Sequence, residues 1–135
     1  MGARSKARKR ALDILFAGEL RGETPQQSLD RWLAEGEPLD NQYSVDLVRG
    51  VIEHQDEIDT LIRDVSEGWT LERMPVVDRN VLRIGVFELL WADDVPDAVA
   101  VSEALGLVAD LSTDDSPAFV NGVLGAVQRR KPQQG

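Results

Sequence analysis

PVVDRNVLRIGVFELLW, residues 75–91, places apolar side chains on more than one side of a helix: Val77, Val81, Leu82, Ile84, Leu89 and Leu90. A helix wetted along one flank shows a single apolar stripe, so this segment is predicted to be central, with other helices around it. Upstream, Leu47, Val48, Val51, Ile52, Ile58, Leu61, Ile62 and Val65 mark the buried face of a long helix capped by Asp40 or Asn41 and reaching about residue 65. Gly50 inside it costs about 1 kcal/mol relative to alanine and marks close helix packing. Gly68-Trp69-Thr70 is a break, followed by a short helical turn over 71–74. At the start, Leu12, Leu15, Phe16 and Leu20 predict a helix over 5–21 that Gly22 stops. Thr24-Pro25-Gln26-Gln27 reads as a capping box with proline at the first helical position, opening a helix that Gly36 ends. Downstream, a loop over 93–96 precedes a helix over 101–111 with Leu105, Val108 and Ala109 inward. A polar loop over 112–115 leads to a last helix with Ser116 as its N-cap and Phe119, Val120, Val123, Leu124 and Val127 on its faces. About seven helical segments with short connections, and no alternating strand pattern, predict an all-α domain over 1–130 with a disordered tail at 131–135.

Composition narrows the chemistry. The 135 residues contain no cysteine and one histidine, His54, which removes disulfides, thiolate nucleophiles and most zinc-site material. Asp13 and Glu19 interrupt the apolar run that could pass for a signal peptide, and no stretch approaches about 18 uninterrupted apolar residues. A cytoplasmic protein is expected. The adjacent acids Asp93/Asp94 and Asp114/Asp115 read as loop and capping residues, and His54 as a structural residue of a helix. No catalytic residue, metal site or cofactor is expected.

The net charge of -9 conceals a segregated distribution. Arg4, Lys6, Arg8, Lys9 and Arg10 fall within residues 4–10 without an acid. Residues 11–128 hold 24 acids against seven arginines, a balance of -17. Local field guides a polyanion, and an acidic body repels phosphate elsewhere, so a nucleic-acid contact is expected at the first helix. Arg4 and Arg8, four residues apart, share one side of it, and guanidinium forks suit phosphate oxygens. The other reading of this run is a solvated tail. Phe16 offers a stacking face for an unpaired base or else a core side chain. The polar loop over 112–116 offers either helix capping or acceptors for RNA.

Three segments, ARSKARKRALDILFAGEL, VVDRNVLRIGVFELLWADDVP and STDDSPAFVNGVLGAV, together resemble the NusB family of bacterial transcription antitermination factors. The third matches the family's D-S-x-x-F-V-N-G-V-L pattern almost without gaps, and the resemblance spans essentially the whole chain. It implies two packed three-helix bundles, here about 4–67 and 68–130. It implies binding of boxA RNA from ribosomal RNA leader transcripts together with ribosomal protein NusE, and action on elongating RNA polymerase. Carried onto this chain, the RNA surface is Arg4, Lys6, Arg8, Lys9, Phe16, Asp115 and Phe119. Phe16 stands where some relatives have tyrosine, and Pro117 and Ala118 where others have polar or basic residues. The NusE surface includes Asp78 and Glu88, although Asp78 could equally pair with Arg79 or cap its helix. The competing readings are a protein–protein scaffold or homodimer, and an accessory domain of an rRNA methyltransferase, which requires a catalytic segment downstream.

Overall fold

A computed structural model describes residues 2–35 and 42–131, which form six α-helices and one 3₁₀ turn. In chain order these are α1 (Ala3–Arg21), α2 (Pro25–Ala34), α3 (Gln42–Val65), the 3₁₀ turn (Leu71–Arg73), α4 (Val76–Trp91), α5 (Asp97–Leu111) and α6 (Ser116–Arg130). Helices α1, α2 and α3 pack on one another, as do α4, α5 and α6, and α4 also lies against α1 and α3. Val81, Leu82, Ile84, Val86 and Leu89 of α4 are all buried in one continuous core drawn from every helix. The multi-sided apolar pattern of residues 75–91 therefore does mark the central helix.

Local chemistry explains the boundaries. Gly22 adopts φ 71°, and its N–H and that of Glu23 close the last turn of α1 onto Glu19 and Gly18 carbonyls. At α2, the Gln27 N–H donates to Thr24 Oγ1 (3.1 Å) and the Thr24 N–H donates to Gln27 Oε1 (2.9 Å), completing the capping box. Helix α5 starts four residues earlier than its apolar pattern suggested, because the Pro96 carbonyl accepts from Val99 and Ala100 N–H groups. Val108 of α5 is buried, but Ala109 is exposed and Leu105 half-buried. Leu20 is also turned out to solvent, at 66% exposure. At α6 the cap position belongs to Asp115, and the Ser116 hydroxyl instead donates to Asp78 Oδ2 at 2.8 Å. Lys131, expected in a disordered tail, forms an ion pair with Asp97 at 2.9 Å. Residues 132–135, Gly36 and the expected cap at Asp40 or Asn41 lie outside the described residues.

Gly50 sits where α3 crosses α4. A Cβ there would stand 2.2 Å from the Phe87 ring, which stacks toward Trp91 and His54. His54 itself lies 3.9 Å from Trp91, centroid to centroid, which accounts for it as a packing residue. Gly50→Ala is expected to destabilise the fold by about 1 kcal/mol, as overpacking outweighs the gain in helix propensity. Urea unfolding followed by circular dichroism measures this.

Candidate nucleic-acid interface

Helices α1 and α4 run antiparallel, and polar contacts pin them at both ends. At one end, Arg8 Nε and Nη2 donate to the two carboxylate oxygens of Glu88 at 2.8 and 2.9 Å, a bidentate pair. Arg8 is 3% exposed and Glu88 1%. Arg8 Nη1 also reaches Glu103 of α5 at 3.0 Å, and the Tyr43 hydroxyl of α3 donates to Glu88 Oε2 at 2.5 Å. Burial disfavours the charged guanidinium, but Glu88 and Glu103 outweigh it, so the Arg8 pKa lies above its usual value. Burial and the Glu88 bond both push the Tyr43 hydroxyl pKa upward.

At the other end, Glu19 accepts from Arg79, from Arg83 Nη1 at 2.9 Å and from Asn80 Nδ2 at 3.2 Å. Arg83 also donates from Nε and Nη2 to Asp59 of α3 at 2.9 and 3.2 Å. Burial would raise the Glu19 pKa, but Arg79 and Arg83 win and hold it below the ordinary carboxylate value.

The accessible cations of residues 4–10 sit at the Glu88 end. Arg4 Nη2 contacts Asp94 at 2.7 Å, and its guanidinium lies 4.3 Å from the Tyr43 ring centroid. The Asp94 hydrogen bond raises the Arg4 pKa, and Arg4 lowers that of Asp94. Lys6 is exposed and has no ion pair among the described residues. Lys9 pairs with Asp13 at 2.7 Å, and the Arg10 guanidinium lies 5.6 Å from the Trp32 ring centroid. Phe16, half-buried, comes two turns after Lys9.

Beside the opposite end of α4, at its first turn, a cleft of about 230 Å³ is lined by Trp69, Met74, Pro75, Asp78, Thr113, Asp115, Ser116 and Phe119. Trp69 is 53% exposed and meets Phe119 edge to face, with centroids 6.2 Å apart. Asp78 is buried in the wall, accepting from Ser112 Oγ (2.5 Å) and Ser116 Oγ (2.8 Å), so it ties α4 to the start of α6. Arg8 and Glu19, 11 residues apart on α1, set the two polar networks about 16 Å apart along the helix axis.

Three expected contact residues are therefore interior. Arg8, Asp78 and Glu88 are buried and satisfied, so direct contact with RNA or a protein partner requires opening the structure. Charge spacing along one helix did not reveal the facing carboxylates. Arg4, Lys6, Asp115 and the partly covered Lys9, Phe16 and Phe119 remain accessible. Trp69, Tyr43, Asp94 and Glu103 were absent from the expected site. The exposed tryptophan in a glycine-flanked break was the one local signal among them; the others act through long-range packing. Among the described residues no group of three or more His, Asp or Glu could hold a metal ion, and no helix is long and apolar enough to cross a membrane.

The model of the family described as the NusB family matches residues 5–129. The chain is 67% identical over 132 residues to a transcription antitermination protein NusB from a Nocardioides species, covering 98% of each chain. It is 51% identical to the corresponding Thermobifida fusca protein, covering 97% of this chain and 92% of that one. Solved structures agree. T. maritima NusB superposes with a TM-score of 0.82 at 35% identity, covering 95% of this chain and 92% of that one. A chain from a complex of antitermination factors NusB and NusE with dsRNA gives 0.81 at 30% identity, covering 96% and 98%.

Breaking the buried pair is expected to be costly. Arg8→Ala should destabilise by about 3–5 kcal/mol because it strands Glu88, whereas Arg8→Met with Glu88→Leu should recover most of that loss. Urea unfolding of the single and double variants checks this. Glu19 supplies a pH dependence. Its depressed pKa contributes stability that is full above the unfolded carboxylate value and lost as pH falls through the folded one. Glu19→Gln should therefore flatten the fall in stability below the ordinary carboxylate pKa of 4.5, measured by urea midpoints across acidic pH.

Proposed function

This chain belongs to the NusB family, and from that premise we propose that it is a transcription antitermination factor that binds boxA-type single-stranded RNA of ribosomal RNA leaders together with NusE. It acts by binding rather than catalysis, in the cytoplasm, and modifies elongation by RNA polymerase. The observation that carries this reading is the placement of Arg4 and Lys6 on the open part of a helix whose remaining surroundings are acidic. Phosphate is attracted there and repelled elsewhere.

The RNA surface has two parts. Arg4, Lys6 and Lys9 meet the backbone at one end of α1. Phe119, with Trp69 beside it, offers an aromatic face for an unpaired base at the other, and Asp115 offers an acceptor for a base amino group or ribose hydroxyl. Phe16 lies along α1 between them. Arg8 contributes from inside, by holding α1 against α4. Asp78 shapes the cleft rather than touching the partner. NusE, a basic partner, adds cations to the assembly and meets the acidic body.

The test is RNA binding by fluorescence anisotropy over a salt series, with and without NusE. Arg4→Ala and Lys6→Ala should each weaken binding and flatten the slope of log K against log salt by about 0.7. Phe119→Ala should lose about 1–3 kcal/mol with the slope unchanged, as expected for a stacked base. Wild-type binding that is indifferent to salt overturns the proposal.

A further inference from the structure

We infer that Tyr43 is a positioning residue for Arg4, a ring platform that holds the arm's guanidinium where phosphate can reach it. The inference rests on the RNA-binding reading above. Arg4 lies in the first turn of α1, where a long side chain on a helix end has many rotamers available. Two groups restrict it. Asp94 takes one N–H of the guanidinium through Nη2, while the Tyr43 ring covers its face at 4.3 Å.

The two restraints differ in what they leave open. A guanidinium has five N–H donors at its edge, and a phosphate needs that edge. Asp94 competes for it. Tyr43 does not, because a ring attracts the cation through its face. Phosphate can therefore displace Asp94 while Arg4 remains stacked on Tyr43. Asp94 and Arg4 are both well exposed, so their mutual attraction is screened and readily exchanged.

The platform itself is fixed from below. The Tyr43 hydroxyl donates to Glu88, which is anchored by Nε and Nη2 of Arg8. The ring packs against the core and also lies 5.7 Å from the Arg8 guanidinium. The buried pair thus reaches the surface through Tyr43: Arg8 seats Glu88, Glu88 seats the tyrosine, and the tyrosine seats Arg4. Neither sequence spacing nor charge on α1 indicates this, since Tyr43 belongs to α3.

A double-mutant cycle on the full chain tests the role, using boxA-type single-stranded RNA, NusE and anisotropy as the readout. Tyr43→Leu should weaken binding about two- to five-fold, the range of an exposed cation–ring contact. In an Arg4→Ala background the same change should have no further effect, which a general structural defect would not reproduce. Tyr43→Phe, which keeps the ring but loses its hydroxyl anchor on Glu88, should bind between wild type and Tyr43→Leu. Equal losses from Tyr43→Leu with and without Arg4 overturn the positioning role while leaving RNA binding intact. Wild type that binds no such RNA, with or without NusE, overturns the RNA reading and this role with it.

Discussion

A guanidinium and a carboxylate placed in a protein interior are each unfavourable alone, and Arg8 and Glu88 are tolerated there because each satisfies the other through two hydrogen bonds. That pairing constrains its surroundings. Glu88 retains acceptor capacity, which the Tyr43 hydroxyl uses, and Arg8 retains a free nitrogen, which Glu103 uses. One residue each from α1, α3, α4 and α5 is thereby fixed in relative position. Apolar packing supplies most of the driving force for folding but tolerates small slips; a bidentate pair has one good geometry.

The second network complements the first. Glu19 on α1 gathers Arg79, Asn80 and Arg83 of α4, and Arg83 extends to Asp59 of α3. With Arg8–Glu88 at one end and Glu19–Arg79 at the other, α1 is held along α4 in a defined antiparallel register. The basic arm and the Trp69–Phe119 cleft stand at the two ends of this braced pair.

This arrangement divides the cations of residues 4–10 by task. Arg8 is consumed by the interior. Lys9 and Arg10 have neighbours, Asp13 and Trp32, on the helix flank. Lys6 is open, and Arg4 is open but held on a ring. A count of positive charges therefore overstates the number available to an anionic partner.

The helical segments, the centrality of residues 75–91, the capping box at Thr24 and Gln27, the close approach at Gly50 and the family resemblance are all legible along the chain. Each is written in local spacing: apolar periodicity, cap chemistry, or a motif such as D-S-x-x-F-V-N-G-V-L. The basic arm is legible too, since charge runs are visible without a fold. Which charges are available emerges only from the packing of the helices. Arg4 and Arg8 look equivalent at four residues apart, yet one faces solvent and the other faces a carboxylate 80 residues away. Asp78 and Glu88 look like surface acids until the hydroxyls and guanidinium that enclose them arrive from other helices. Whether a charge is a contact or a strut depends on long-range desolvation and pairing, and those exist only once the helices have packed.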